Sequence, residues 1–251
     1  MWLEYLKRNR LRILSYHSIS ADRNDRLAIE PDLFAAQMQF LAAEELEVIS
    51  LERACQQLKS DEPLSRAVVL TFDDGYQDFR EAAMPVLKQY RFPATLFVVT
   101  GMRQAEWRGK GNGNAKRLLS RKDLQEIKAD GFSLGSHTVT HADLTTLDET
   151  RLESELADSR AAILELGEAF VPFAYPGGTF TERERNAVER AGYDCAVIVG
   201  GRWGNGPETN RYLLKREPML GSDSLDWFKK RVNGFYEVHY LAARARGFGT
   251  R

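Results

Sequence analysis

Cysteine is scarce. The 251 residues hold two, Cys55 and Cys195, far apart and in no C-x-x-C spacing. That excludes a disulfide framework and a zinc ribbon and leaves two thiols expected to stay reduced. An excess of one charge is missing too: Lys plus Arg is 35 and Asp plus Glu is 36, a formal net charge of -1. Such a balance excludes a generally basic nucleic-acid binder and any polyacidic tail. Long apolar runs are also lacking. The longest, such as the stretch from Ala94 to Val99, are strand-sized and far below the ~20 residues a spanning helix needs. The opening Met1-Trp2-Leu3-Glu4-Tyr5-Leu6-Lys7-Arg8 puts apolar residues ahead of basic ones, the reverse of a secretory signal. The expected location is therefore cytoplasmic, with the inner membrane surface as a place where a basic tail would act.

What is present is an ordinary globular composition, 43% hydrophobic and 28% charged, in a regular alternation of short apolar runs and helical patterns. Strands are expected at Arg12 to Tyr16, Val48-Ile49, Ala67 to Phe72, Ala94 to Val99, Phe132 to Ser136, Val171 to Tyr175 and Cys195 to Val199. Helices are expected from Pro31, from the cap Ser50, over 78–90 despite Pro85, over 121–129, over 148–167 and over 181–191. Alternation of this kind means parallel strands joined by right-handed crossovers, and about seven units suggest barrel-like closure. The chemistry of such barrels lies past the C-terminal ends of the strands. The expectation is one domain over 1–251, with a core at about 11–220 and a basic tail at 221–251.

Three strand ends carry unusual residues: Tyr16-His17, Thr71-Phe72-Asp73-Asp74-Gly75 and His137-Thr138-Val139-Thr140-His141. Only four histidines occur, and three of them fall at these ends. Asp-Asp-Gly alone is most often a turn, and His-x-x-x-His alone is most often an exposed helical pair. Their joint placement points to a metal. Two imidazoles and one carboxylate, from Asp73 or Asp74, make three ligands with an open position, and the spare carboxylate is placed to act as general base. Two adjacent carboxylates without a cation would repel.

These segments resemble the polysaccharide deacetylase family, also called the NodB homology domain or carbohydrate esterase family 4. Thr71-Phe72-Asp73-Asp74-Gly75 is similar to its first motif, His137 to His141 to its second, and Phe173-Ala174-Tyr175-Pro176-Gly177-Gly178, with changes, to its third. Tyr16-His17-Ser18-Ile19 and Ala174-Tyr175-Pro176 resemble the branch that includes deacetylases of poly-N-acetylglucosamine. The resemblance implies an α/β fold, a distorted (β/α)7 barrel, and metal-dependent removal of an acetyl group from a sugar. It makes Asp73 the base, Asp74, His137 and His141 the metal ligands and His17 the acid. Tyr76, Tyr175, Pro176 and Trp203 are expected to contact substrate. Zinc suits the ligand set, and cobalt, nickel and iron also fit.

Two departures stand out. Ala174 occupies the place of the arginine that orients the base in the common third motif, and the segment Leu213 to Glu217 lacks the catalytic histidine of the last motif. Alternative readings are a deacetylase of a small amide or O-acetyl ester, or a non-catalytic glycan-binding barrel. The expected partner is an N-acetylated carbohydrate, not nucleic acid. The basic, aromatic tail from Trp227 suits either packing on the barrel or peripheral contact with a membrane surface.

Overall fold

The computed structural model describes residues 10–44, 46–60, 66–102, 106–107, 115–200 and 204–233. Seven parallel strands close into a barrel: β1 (Arg12–Tyr16), β5 (Ala67–Phe72), β6 (Thr95–Val98), β9 (Ser133–Ser136), β10 (Pro172–Ala174), β11 (Cys195–Val199) and β12 (Leu214–Pro218), with β12 returning to β1. Short strands β2 (Ser18–Ile19) and β3 (Ala28–Ile29) pair with each other, as do β7 (Glu106–Trp107) and β8 (Lys116–Arg117). The helices are α1 (Pro31–Ala43), α2 (Leu51–Gln57), α3 (Met84–Tyr90), α4 (Arg121–Ala129), α5 (Glu149–Leu164), α6 (Glu182–Arg190) and α7 (Leu225–Val232). None of the described helices is long and apolar enough to cross a membrane.

The strand count of seven holds, but one member differs from expectation. The expected strand at Val48-Ile49 is β4 (Glu47–Val48), which pairs only with the first residues of β5. Its side of β5 is taken over by β6 at Thr71 and Phe72, so β4 is not a stave. The seventh stave is β12. Its run Leu-Lys-Arg-Glu-Pro is too charged to look like a buried parallel strand, because the arginine inside it is a site residue.

Side-chain alternation along the strands explains both cores and the site. Ile13, Val69, Phe97, Ala174, Val197 and Leu214 form one buried cluster with Leu51 and Ala54 of α2, which fills the barrel interior. Their out-of-phase neighbours Leu14, Leu70, Leu96, Leu134, Phe173 and Ala196 pack under the surrounding helices. Continuing the inward phase past the strand ends brings His17, Asp73 and His137 to the same mouth of the barrel, with Arg216 inside it.

The expected helix at 78–90 splits into a π-helical turn (Phe79–Ala83) and α3. Pro85, without an N–H, sits at the junction, one residue after the Met84 N–H that makes the wide bond to the Phe79 carbonyl. The caps behave as the sequence suggests. Ser50 accepts from the Arg53 N–H, and Asp148 from the Arg151 N–H at 2.8 Å.

Candidate active site

Asp73 and Asp74 follow β5 without a break, the Asp73 N–H donating to the Tyr16 carbonyl at 2.9 Å. Asp74 takes a positive φ of 74°, which aspartate tolerates. Gly75 follows at φ 76°, where a Cβ would meet Val98 at 3.0 Å. The glycine of Asp-Asp-Gly is thus required by backbone geometry and by close approach to β6.

His137 continues β9, its N–H donating to the Val98 carbonyl at 2.9 Å. The segment from His137 to His141 is not helical. Thr138 and His141 have φ of 67° and 58°, a conformation costing of order 1–3 kcal/mol at each non-glycine residue. The two backbone reversals turn both imidazoles to one point, with ring centroids 4.8 Å apart.

There Asp74, His137 and His141 converge. The Nε2 atoms lie 3.5 Å and 3.6 Å from Asp74 Oδ1, and one ligand atom from each residue lies within 4.8 Å of the others. Tetrahedral ligands at ordinary zinc bond lengths sit about 3.4 Å apart, so the three suit a single divalent ion. Two further observations fit that ion. Asp74 Oδ1 is buried and accepts no hydrogen bond. His137 Nδ1 lies 2.8 Å from the Ala174 carbonyl, which fixes the tautomer with Nε2 left to coordinate. Burial, first, and the neighbouring charge of Asp73 push the Asp74 carboxyl up to about 8 when no cation is bound.

Asp73 is held differently. Arg216 on β12, fully buried, reaches past β1 to the end of β5 and donates Nη1 to Asp73 Oδ1 at 2.6 Å and Nη2 to Oδ2 at 2.8 Å. Its Nη1 also reaches Thr71 Oγ1 at 3.2 Å. Burial would raise the Asp73 carboxyl. The guanidinium charge and hydrogen bonds, with His137, instead hold it well below the usual carboxylate range. The two adjacent aspartates are therefore driven apart, Asp73 toward the ionised form by Arg216 and Asp74 toward the neutral form by burial and by Asp73.

His17 completes the group, with Nε2 3.8 Å from Asp73 Oδ2. Burial, the largest influence, lowers its pKa to about 4 against the pull of Asp73, so the imidazole is neutral at rest.

The remaining sequence candidates separate. Tyr76 is at the site, its hydroxyl bonded to Asp74. Its ring stacks on half-buried Trp107 at 6.1 Å, and Trp107 in turn meets His141 at 4.7 Å. Trp107 is carried on the β7–β8 hairpin, which Lys116 pins through an ion pair with Asp25. Tyr175 is not brought to the triad. One residue out of phase with inward-facing Ala174, it is fully buried among Phe173 and Phe180, and its hydroxyl donates to the Tyr212 carbonyl. Pro176 is buried beside it. Trp203 lies outside the described residues, as does the tail from residue 234.

Sequence reasoning missed Arg216. With Ala174 at the place of the expected arginine, the arginine that holds Asp73 comes from β12 instead of β10. The available signal was a single arginine in phase with Leu214 at the end of the chain's last apolar run.

Comparison with known proteins agrees with this geometry. The polysaccharide deacetylase family model matches residues 60–196. A putative polysaccharide deacetylase of Bacillus subtilis is 32% identical over 200 residues, covering 79% of this chain and 67% of the relative. Poly-beta-1,6-N-acetyl-D-glucosamine N-deacetylases of Staphylococcus aureus are 25% identical over 243 residues, covering 92% of this chain and 81% of theirs. The solved structure of the Streptococcus pyogenes deacetylase PplD in complex with acetate superposes with a TM-score of 0.77 at 28% identity, covering 89% of this chain and 98% of that one.

Proposed function

Because the chain belongs to the polysaccharide deacetylase family, we propose that it hydrolyses the N-acetyl group of an acetamido sugar in a polysaccharide or glycan precursor. It is a carbohydrate deacetylase, and the observation that carries its chemistry is the pairing of two unlike aspartates. Asp74, with an unpartnered oxygen, stands 3.5 Å and 3.6 Å from two imidazole nitrogens. Asp73 is kept anionic by Arg216.

Asp74, His137 and His141 would hold a divalent cation, with zinc first and cobalt, nickel or iron also suited. Bound there, the cation supplies Lewis acidity, polarising the acetyl carbonyl and acidifying the attacking water. Asp73 accepts the proton of that water, and its bidentate bond to Arg216 keeps the receiving lone pairs aimed at the barrel mouth. The departing amine needs a proton. His17, neutral at rest, delivers one only after gaining one, and Asp73 is the group 3.8 Å away that collects it. Tyr76 holds Asp74 in place, and the Trp107 indole offers a flat apolar wall for a pyranose ring.

The proposal extends to α7 as a point of contact with an anionic membrane surface. On α7, Phe228 and Val232 are buried, Phe228 edge-on to Phe40 of α1, while Trp227 is 42% exposed beside Lys230. An exposed tryptophan next to lysine suits an interface.

The decisive assay is acetate release from polymeric, lipid-linked and nucleotide-linked acetamido sugars, alongside an O-acetyl ester. Release from at least one acetamido sugar is expected. Release from the ester alone would replace this reading with that of an esterase.

A further inference from the structure

The turn between the two metal-site histidines carries more donors than its own backbone can satisfy. Part of its bonding is local to the barrel. The His141 N–H donates to Thr138 Oγ1 at 2.9 Å, and the carbonyls of Thr138 and Val139 accept from the N–H groups of Thr100 and Gly101 at 3.0 Å and 2.9 Å. The N–H groups of Val139 and Thr140 point the other way, as two successive donors forming an anion nest. One side chain fills it. Glu155 Oε2 accepts from the Val139 N–H at 2.8 Å and the Thr140 N–H at 3.0 Å, and Oε1 accepts from Thr140 Oγ1 at 2.6 Å. All three bonds are charge-assisted and converge on one carboxylate.

Glu155 is well placed to act as a fixed anchor. It sits on α5 between Leu152 and Leu156, both buried, and Ser159 one turn on is hydrogen-bonded to Ser136 and Tyr193. The helix is thus tied to β9, the strand that delivers His137. The anchored turn is the one in which Thr138 and His141 hold positive φ. Non-glycine residues stay in that region only where their surroundings over-determine it. With Glu155 gone, the outer peptides lose their partners and the turn is free to leave this conformation, carrying the His141 ring away from Asp74.

We propose that Glu155 is a positioning residue for the metal centre, holding the His137–His141 turn in its coordinating shape without touching the cation or the substrate. It rests on the reading of Asp74, His137 and His141 as a cation site, but not on which sugar is deacetylated.

The test is zinc affinity of chelator-treated protein, read by competition with a chromophoric chelator, with the melting temperature of the metal-free protein as a parallel measurement. Glu155→Ala is expected to weaken zinc binding by about 10- to 100-fold, as supporting hydrogen bonds to metal ligands typically do. Glu155→Gln, which keeps an acceptor for the two N–H groups and a donor for Thr140, is expected to recover most of the loss. If Glu155→Ala does not fold, Glu155→Asp carries the test, since a carboxylate one methylene shorter cannot span the same bonds, and the same weakening is expected. Zinc affinity within twofold of the parent in the Ala or Asp variant overturns the proposal, even if melting falls, because the carboxylate would then be only structural. No zinc binding by the parent protein overturns both this proposal and the cation site. Zinc binding with the expected loss, but no acetate release from any sugar, upholds Glu155 and sinks only the sugar reading.

Discussion

Arg216 and Asp73, 143 residues apart in sequence, meet inside the barrel through two parallel hydrogen bonds of 2.6 Å and 2.8 Å. The contact joins β12, the last stave of the barrel, to the end of β5, where the Thr71–Gly75 motif begins the site. Guanidinium and carboxylate are both almost wholly buried, so neither tolerates loss of the other.

Replacing Arg216 by Ala should therefore harm both stability and catalysis. Removing one partner of a buried pair costs about 3–5 kcal/mol. The same change frees Asp73 to rise toward the ordinary carboxylate range or above, so the acid limb of the pH–rate profile moves to higher pH. Arg216→Lys keeps the charge but not the fork and should behave as a milder version. Thermal melting and kcat/KM against pH measure both effects. An unmoved acid limb in a folded Arg216→Lys protein would remove Asp73 as the titrating base.

Metal binding should release a proton from Asp74. Burial and then Asp73 raise this carboxyl to about 8 in the metal-free protein, whereas the unfolded chain ionises near 4. The folded state thus holds a proton that the unfolded state has lost, and metal-free stability falls as pH rises from about 4 to about 8. A cation reverses the preference by binding the anion. At pH 7 about one proton should leave this group per zinc bound, and apparent affinity should climb with pH and level off above about 8. Calorimetry in buffers of different ionisation enthalpy measures the release. Zinc binding without proton release would contradict the assignment.

Trp107→Ala should raise KM for a sugar substrate about fivefold with kcat little changed, equivalent to about 1 kcal/mol of lost ring contact. Zinc content should not change, because the ligand set is Asp74, His137 and His141 and the indole packs against His141 through a tilted ring contact. A fall in kcat at constant KM would place Trp107 in the chemistry instead of in substrate binding.

Much of the fold was legible because the apolar runs and caps obey local rules. Arg12–Tyr16, Ala67–Phe72, Arg121–Ala129 and Cys195–Val199 fall where the pattern places them. The convergence of Asp74, His137 and His141 was legible for another reason, namely that strand ends of a parallel barrel share one mouth. Arg216 was not legible, since a charged residue inside a five-residue strand defeats an apolar criterion, and only closure of β12 on β1 shows which way it faces. Tyr175, which a motif match assigned to substrate, follows β10 one residue out of phase with Ala174 and is fully buried with Phe173. The turn bearing His141 also escaped, because four-residue spacing suggests a helix and nothing local announces two positive-φ residues held by a glutamate on α5.

The central claim, a cation held by Asp74, His137 and His141 and served by Asp73, is tested most directly by zinc titration of chelator-treated protein with acetate release followed in the same samples. The parent protein should bind one equivalent and recover activity. His137→Ala should lose both. Asp73→Asn should bind zinc normally while kcat falls by about 10²–10⁴-fold, the ordinary contribution of a general base. Equal zinc binding by the parent and His137→Ala, or full activity in Asp73→Asn, would contradict it.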